Sequence, residues 1–359
     1  LQRNDIDGVI AQAIEDAGGW LRFDRFMAMA LYTPGLGYYA HNSPKFGAMP
    51  EQGSDFVTAP ELSPLFGRTL AAQVGEALQA TGTDEIWEFG AGTGALALQL
   101  LDSLGDAVRR YTIVDLSGSL RMRQQATLGA YADKLHWAEQ LPPQMHGVVV
   151  GNEVLDAMPV QLLHRRAGIW HERGVARLDG AFVWQDRPTD LRPPVAIDGP
   201  HDYLTEIQPQ GQAFVRTLAD HVVRGAAFFL DYGFPESEYY HPQRSGGTVM
   251  CHQAHRADPD PLVEVGAKDI TAHVDFSGIA VTAQDAGWDV LGYTSQARFL
   301  INCGLVERMQ AAELAQRSMA HRLIAEHEMG ELFKVVGLSK GVQPWDALGF
   351  AHGDRSHTL

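Results

Sequence analysis

The sequence predicts an α/β protein built on a doubly wound, mostly parallel sheet, and three observations carry that prediction. From Asp84 onward, short apolar runs alternate with amphipathic helical stretches, the pattern of parallel strands joined by helical crossovers. A glycine-rich turn, Gly90-Ala91-Gly92-Thr93-Gly94, closes the first run and opens a helix. An acid, Asp115, ends the next run, where such folds hold a ribose.

The elements follow in order. Ile6, Val9, Ile10, Ala13 and Ile14 repeat at helical spacing until Gly18-Gly19 stops them. Phe23 to Leu31 is a second amphipathic stretch, ended by Thr33-Pro34-Gly35. The segment from Gly35 to Pro60 is rich in Gly, Pro and aromatics without regular period, as lids and binding loops often are. A helix is expected from about Ser63 to Ala80. Residues 1–80 thus form an N-terminal helical and lid region ahead of an α/β domain at 81–359. In that domain Glu85–Phe89 is the first strand and Ala95–Leu104 the helix after the glycine turn. Tyr111–Leu116 is the second strand, followed by a helix from Gly118 to about Leu128. Gly147–Gly151 and Ala226–Asp231 are buried-strand runs. Around 161–205 short alternating segments broken by Gly, Asp and Pro predict inserted hairpins, and 234–275 is a further irregular insertion. Residues 255–266 read as a Pro- and Asp-rich loop. The last hundred residues read as helices with a closing hairpin.

Composition bounds the function. The 359 residues allow about two domains, or one large domain with an insertion. Lys+Arg 28 against Asp+Glu 44 leaves a net charge of −16, which repels a phosphate backbone and argues against nucleic acid as a direct partner. Cys251 and Cys303 are too few for a disulfide framework and lack zinc-site spacing. No apolar run approaches the ~20 residues that span a bilayer. The first residues read as neither a secretory signal nor an Arg-rich transit peptide. A bacterial cytoplasm is therefore the expected location, with the mitochondrial matrix as the alternative.

The glycine turn admits two ligands. Gly90 to Ala95 satisfies a dinucleotide fingerprint, but Glu88 stands two residues before the first glycine. A carboxylate there repels a pyrophosphate and attracts the sulfonium and ammonium of S-adenosylmethionine, so electrostatics favour the latter. Glu88, Gly90, Gly92, Gly94 and Asp115 are the candidate contacts, with Leu116 beside them. A second signal, Gly151-Asn152-Glu153-Val154-Leu155-Asp156, follows the GVVVG strand. At the switch point of a doubly wound sheet it borders the same crevice. Asn152 is read either as a cofactor contact or as a helix N-cap. Glu153 and Asp156 interrupt an otherwise apolar run, more than capping requires.

With these residues placed, the sequence resembles the MidA-like family of S-adenosylmethionine-dependent methyltransferases, which includes a mitochondrial complex I assembly factor that methylates an arginine. The resemblance runs from Leu31-Tyr32 and Gly37-Tyr38-Tyr39 through Asp55-Phe56-Val57-Thr58-Ala59-Pro60 and the EFGAGTG turn. It continues through Leu120-Arg121 and Gln124, Asn152-Glu153 and Asp156-Ala157, Asp231-Tyr232-Gly233 and Asp269-Ile270-Thr271. Many members carry Glu where this chain has Asp115, and either acid can hold a ribose. The resemblance implies a class I methyltransferase sheet, Rossmann-like, with an N-terminal lid over the cofactor. Thr58 and Pro60 are then expected contacts, and Trp137 is expected either on the adenine or in the core. If the acceptor is an arginine, its guanidinium forks toward carboxylates. Glu153 and Asp156 are the catalytic candidates, with Asp231 and Tyr232 in reserve. The implied partner is a protein acceptor of the complex I subunit type.

Cys251, His252, His255, His273 and Asp275 match no zinc spacing. They are expected as loop histidines or a structural hydrogen bond, and no metal is expected. Other readings keep the cofactor but move the acceptor to a small molecule or another side chain. A cofactor-binding assembly chaperone without turnover is a further reading, and an NAD-dependent oxidoreductase a distant one.

Overall fold

The computed structural model describes residues 6–40, 58–115, 118–253 and 256–359. Its centre is an eight-stranded sheet, made of β1 (Glu85–Phe89), β2 (Arg110–Val114), β3 (Leu135–Ala138), β4 (Met145–Asn152), β5 (Val222–Phe234), β6 (Asp289–Ser295), β7 (Phe333–Lys340) and the two-residue strand Val274–Asp275, which pairs with the end of β5. Across the sheet the order is β3-β2-β1-β4-β5-β7-β6. The first five strands are parallel, and β7 runs antiparallel between β5 and β6. This is the doubly wound, mostly parallel sheet that the alternation of strands and helices predicts, and it has the class I methyltransferase form that the resemblance implies.

Two-residue alternation sorts the strands' side chains into two layers. Ile86, Val148, Val150, Phe228 and Leu230 pack with the helices Pro64–Thr81, Ala95–Leu104 and Gln296–Asn302. Trp87, Val149, Ala227, Phe229 and Val336 pack on the other face, with Pro209–His221 and Phe276–Asp285. Both faces are covered, which is why the strands read as near-continuous apolar runs. The long helix starts at Pro64 because Ser63 Oγ accepts the Leu65 N–H at 3.3 Å, and it ends at Gly82, in the left-handed region with φ +62°.

The inserted hairpins are real. Gln161–Arg166, Ile169–Leu178, Ala181–Pro188 and Tyr203–Ile207 form a second, antiparallel sheet. Leu21–Arg22, a two-residue strand with no sequence signal of its own, joins it opposite Val175 and Gly174. The helices Ile6–Asp16 and Phe23–Tyr32 share a core with this sheet through Ile10, Phe26, Leu162 and Val175. The 255–266 stretch is not all loop: Arg256–Asp258 pairs with Met250–Gln253, which pairs in turn with Asp269–Thr271. The closing pair is β6 and β7, and the helices Gln296–Asn302, Leu305–Ala311 and Leu314–Ile324 separate its strands. It is therefore no hairpin.

Candidate functional site

The parallel strands end on one side of the sheet, where a cavity of about 750 Å³ opens. It lies outside the strand ends near the switch between β1 and β4, where doubly wound sheets bind ligands.

The glycine turn forms its floor. Gly90, Gly92 and Gly94 have φ of +64°, +52° and +86°, all in the left-handed region. Gly90 and Gly92 line the cavity. Gly94 does not; it caps the helix Ala95–Leu104, and a side chain there would press on Leu128 at 3.1 Å. Thr58 and Pro60 also line the cavity. Gln99 seats them: its Nε2 donates to the Pro60 carbonyl and its Oε1 accepts the Gly67 N–H, both at 2.8 Å. Glu61, which the sequence reading passed over, accepts a hydrogen bond from Thr93 inside the glycine turn. Residues 41–57, including Asp55 to Val57 of the lid motif, lie outside the described residues.

Glu88 and Asp115 line the same end. Burial pushes the Glu88 carboxyl up to about 7; the Tyr111 hydroxyl, donating at 2.6 Å, opposes this and the Asp115 charge adds to it. Gln124 organises the corner. Its Nε2 donates to Asp115 Oδ2 and to the Gly92 carbonyl, each at 3.0 Å, and its Oε1 accepts the Trp137 indole N–H at 2.9 Å. Trp137 does not line the cavity. Its ring lies under the Arg121 guanidinium, 5.1 Å from the centroid, so it buttresses Gln124 instead. Leu116 falls outside the described residues.

The loop after β4 supplies the opposite end. Asn152 is not a helix cap: Nδ2 donates to Glu153 Oε1 at 2.9 Å, while Oδ1 is buried with no partner among the described residues. Such an orphaned acceptor suits an ammonium. Glu153 is held at φ +54°, its N–H donating to the Leu230 carbonyl at 2.9 Å. Burial first, then the Asp156 charge, raises its carboxyl to about 8, against the Asn152 amide and the Ala59 N–H. Burial raises Asp156 to about 6, against the facing Tyr232 hydroxyl. Asp231 plays a different part from the reserve role the sequence suggested. It does not line the cavity, because Oδ2 accepts the Leu155 and Asp156 N–H groups and Oδ1 that of Tyr232. It fastens the β4 loop to β5. Tyr232 does line the cavity.

Sequence reasoning also left out most of the far wall. Tyr32 and Tyr39 stack there with ring centroids 5.6 Å apart, their hydroxyls bonded to the Ala157 carbonyl and to Asp269 Oδ1. His252, in the strand Met250–Gln253, and His273, in the short connection between Asp269–Thr271 and Val274–Asp275, both line this wall. Burial lowers His252, and it brings His273 down to about 4, so that His273 is neutral near pH 7. Among the described residues no group of three His, Cys, Asp or Glu could hold a metal ion. The described lining contains the acids Glu61, Glu88, Asp115, Glu153, Asp156 and Asp269, and no Lys or Arg. Such a cavity calls for cationic ligands. The sulfonium and ammonium of S-adenosylmethionine fit it, with Asp115 suited to the ribose and Gly90 and Gly92 giving close access to the backbone.

Comparison with known proteins agrees. Residues 69–294 match the family model of S-adenosyl-L-methionine-dependent methyltransferases. A Burkholderia thailandensis protein crystallised with S-adenosyl-homocysteine superposes with a TM-score of 0.94 and 50% identity, covering 99% of this chain and 96% of that one. A native crystal structure from the same organism gives 0.89 and 49%, with the same coverage. Among curated proteins, the mitochondrial protein arginine methyltransferase NDUFAF7 homolog of Caenorhabditis elegans is 26% identical over 79% of this chain and 73% of its own length. The zebrafish (Danio rerio) NDUFAF7 is 27% identical over 82% and 75%. The cofactor is thus S-adenosylmethionine, and the chain belongs to the MidA-like family of S-adenosylmethionine-dependent methyltransferases.

Proposed function

We propose that the protein is a protein arginine N-methyltransferase. One observation carries this reading: the cavity continues past the cofactor end into buried carboxylates and tyrosines, with no Lys or Arg in its described lining. The curated relatives named as protein arginine methyltransferases support it, and the family resemblance makes a respiratory complex I subunit the candidate acceptor.

When bound, the cofactor would supply a methyl group already activated on a sulfonium, whose methyl carbon–sulfur bond breaks on transfer to leave neutral S-adenosyl-homocysteine. What remains for the protein is to align a weakly nucleophilic guanidinium and exclude water. Glu153 and Asp156 are the residues we assign to that task. A cation entering between them favours their ionised forms, so two raised carboxyls become a paired site as the acceptor arrives. Glu153 then localises the lone pair on one nitrogen and takes the proton that nitrogen sheds as its bond to the methyl carbon forms. Thr58, Pro60, Glu88, Gly90, Gly92, Asp115 and Asn152 are assigned to the cofactor.

The test supplies methyl-labelled S-adenosylmethionine and lysate from cells lacking the gene. Label in a protein band that hydrolyses to methylarginine is expected; label confined to small molecules, or none, refutes the arginine reading. In the same assay Glu153→Gln should lower transfer at least about tenfold while S-adenosyl-homocysteine binds within about twofold of wild type. Equal rates would remove Glu153 from the chemistry.

A further inference from the structure

The small sheet after β5 turns one side of its alternation toward the cavity. Asp269 pairs with His252 and Thr271 with Met250, and all four line the cavity. Cys251 and Ile270, between them in sequence, point the other way, into the N-terminal core. This strand pair therefore forms a built wall, presenting one carboxylate and one hydroxyl. The Tyr39 hydroxyl donates to Asp269 Oδ1 at 2.8 Å and fixes that carboxylate against the turn that follows the helix Phe23–Tyr32. Thr271 Oγ1 is buried with no hydrogen-bond partner among the described residues, and so is Asp156 Oδ1 from the β4 loop. Asp156 is only 5% exposed. The single Tyr232 hydroxyl faces both Asp156 and Thr271 and has one proton to donate, so it cannot satisfy the acceptors of both, and the Asp269 charge is felt at Glu153 and Tyr32.

Acceptor atoms on two walls, left orphaned at a depth where that is unfavourable, call for a ligand with several N–H donors. An ammonium concentrates three donors at one point and is satisfied by one wall. A guanidinium spreads five donors around a plane and can engage both walls at once. We infer that Asp269 and Thr271, with Asp156, form the guanidinium subsite of the acceptor, and that Asp269 determines selection of arginine over lysine. The inference rests on the arginine reading above and adds to it a residue pair from a segment that reading does not use.

The test titrates Gly-Arg-Gly and Gly-Lys-Gly tripeptides into the full chain saturated with S-adenosyl-homocysteine, followed by calorimetry. Wild type should bind the arginine peptide about tenfold or more tightly than the lysine peptide, and Asp269→Asn should erase that preference. Its S-adenosyl-homocysteine affinity should stay within about twofold of wild type, which reports an intact cofactor end. A preference that survives Asp269→Asn overturns the subsite while leaving the arginine reading intact. No preference in wild type overturns both. If Asp269→Asn loses S-adenosyl-homocysteine, Thr271→Val decides: a reduced preference supports the subsite and an unchanged one overturns it.

Discussion

Glu153 is a non-glycine residue at φ +54°, a conformation that costs an L-residue about 1–2 kcal/mol. It also carries a buried carboxyl raised to about 8. In the fold that carboxyl accepts only the Asn152 amide and the Ala59 N–H, while the Glu153 N–H completes the link to Leu230 whatever the side chain. Glu153→Gly should therefore stay within about 1 kcal/mol of wild type, because relief of strain and of a buried carboxyl offsets those two bonds and the roughly 0.5–1 kcal/mol that glycine's unfolded-state freedom costs. Methyl transfer should be lost. Urea unfolding at pH 8 checks the first half, and a drop of more than about 1 kcal/mol would show that Glu153 is structural after all. Single residues were unevenly legible in the sequence. Glu88, Asp115 and Asn152 line the cavity, where their fixed offsets from strands and a glycine turn put them. The role of Asp231 and the choice between the two readings of Trp137 were not legible, because whether a side chain faces a cavity or a neighbouring amide depends on contacts such as those with Leu155 and Gln124.

At the scale of elements, the site depends on how the short helix Ala59–Leu62 is seated on the helix after the glycine turn. Gln99 does this through two buried backbone groups, the Pro60 carbonyl and the Gly67 N–H. Gln99→Leu leaves both unpaired and should destabilise the protein by about 2–4 kcal/mol. It should also weaken S-adenosyl-homocysteine binding, because Thr58 and Pro60 lose their anchor. Denaturant midpoints and calorimetry measure the two effects; a destabilised variant with unchanged affinity would remove that helix from the cofactor end. Strand β1 and the helix Ala95–Leu104 were legible to the residue, and the cores of β4 and β5 as apolar runs, although β5 extends well beyond Ala226–Asp231 at both ends. Buried parallel strands write long apolar runs into a sequence. The wall strands Met250–Gln253 and Asp269–Thr271 are four and three residues long. So short an alternation carries little signal, and their pairing across a loop carries none, so the Asp269 side of the site was not visible before the fold was.

The whole molecule stores negative charge where it meets its ligands, and that sets its response to pH. Glu88 and Glu153 titrate near 7 and 8 in the fold, against about 4.5 for an unperturbed Glu. Between those values the folded state holds protons that the unfolded state has released, so stability falls as pH rises through the folded pKa values. His273, lowered to about 4, acts the other way, but above about pH 6.5 it is neutral in both states. From pH 6.5 to 8.5 the ligand-free protein should therefore lose roughly 2–3 kcal/mol of unfolding free energy. Cationic ligands reverse the sign, since they bind the ionised carboxylates. S-adenosylmethionine should tighten over the same window and raise the melting temperature more at pH 8.5 than at pH 6.5. S-adenosyl-homocysteine, lacking the sulfonium charge, should show a smaller rise. Glu88→Gln should flatten the cofactor's pH dependence and leave the apo protein less sensitive to alkaline pH. Apo stability that stays level or climbs between pH 6.5 and 8.5 would mean that these carboxylates are already ionised without a cation. The cavity would then be polar and hydrated rather than an acidic vessel poised for two positively charged ligands.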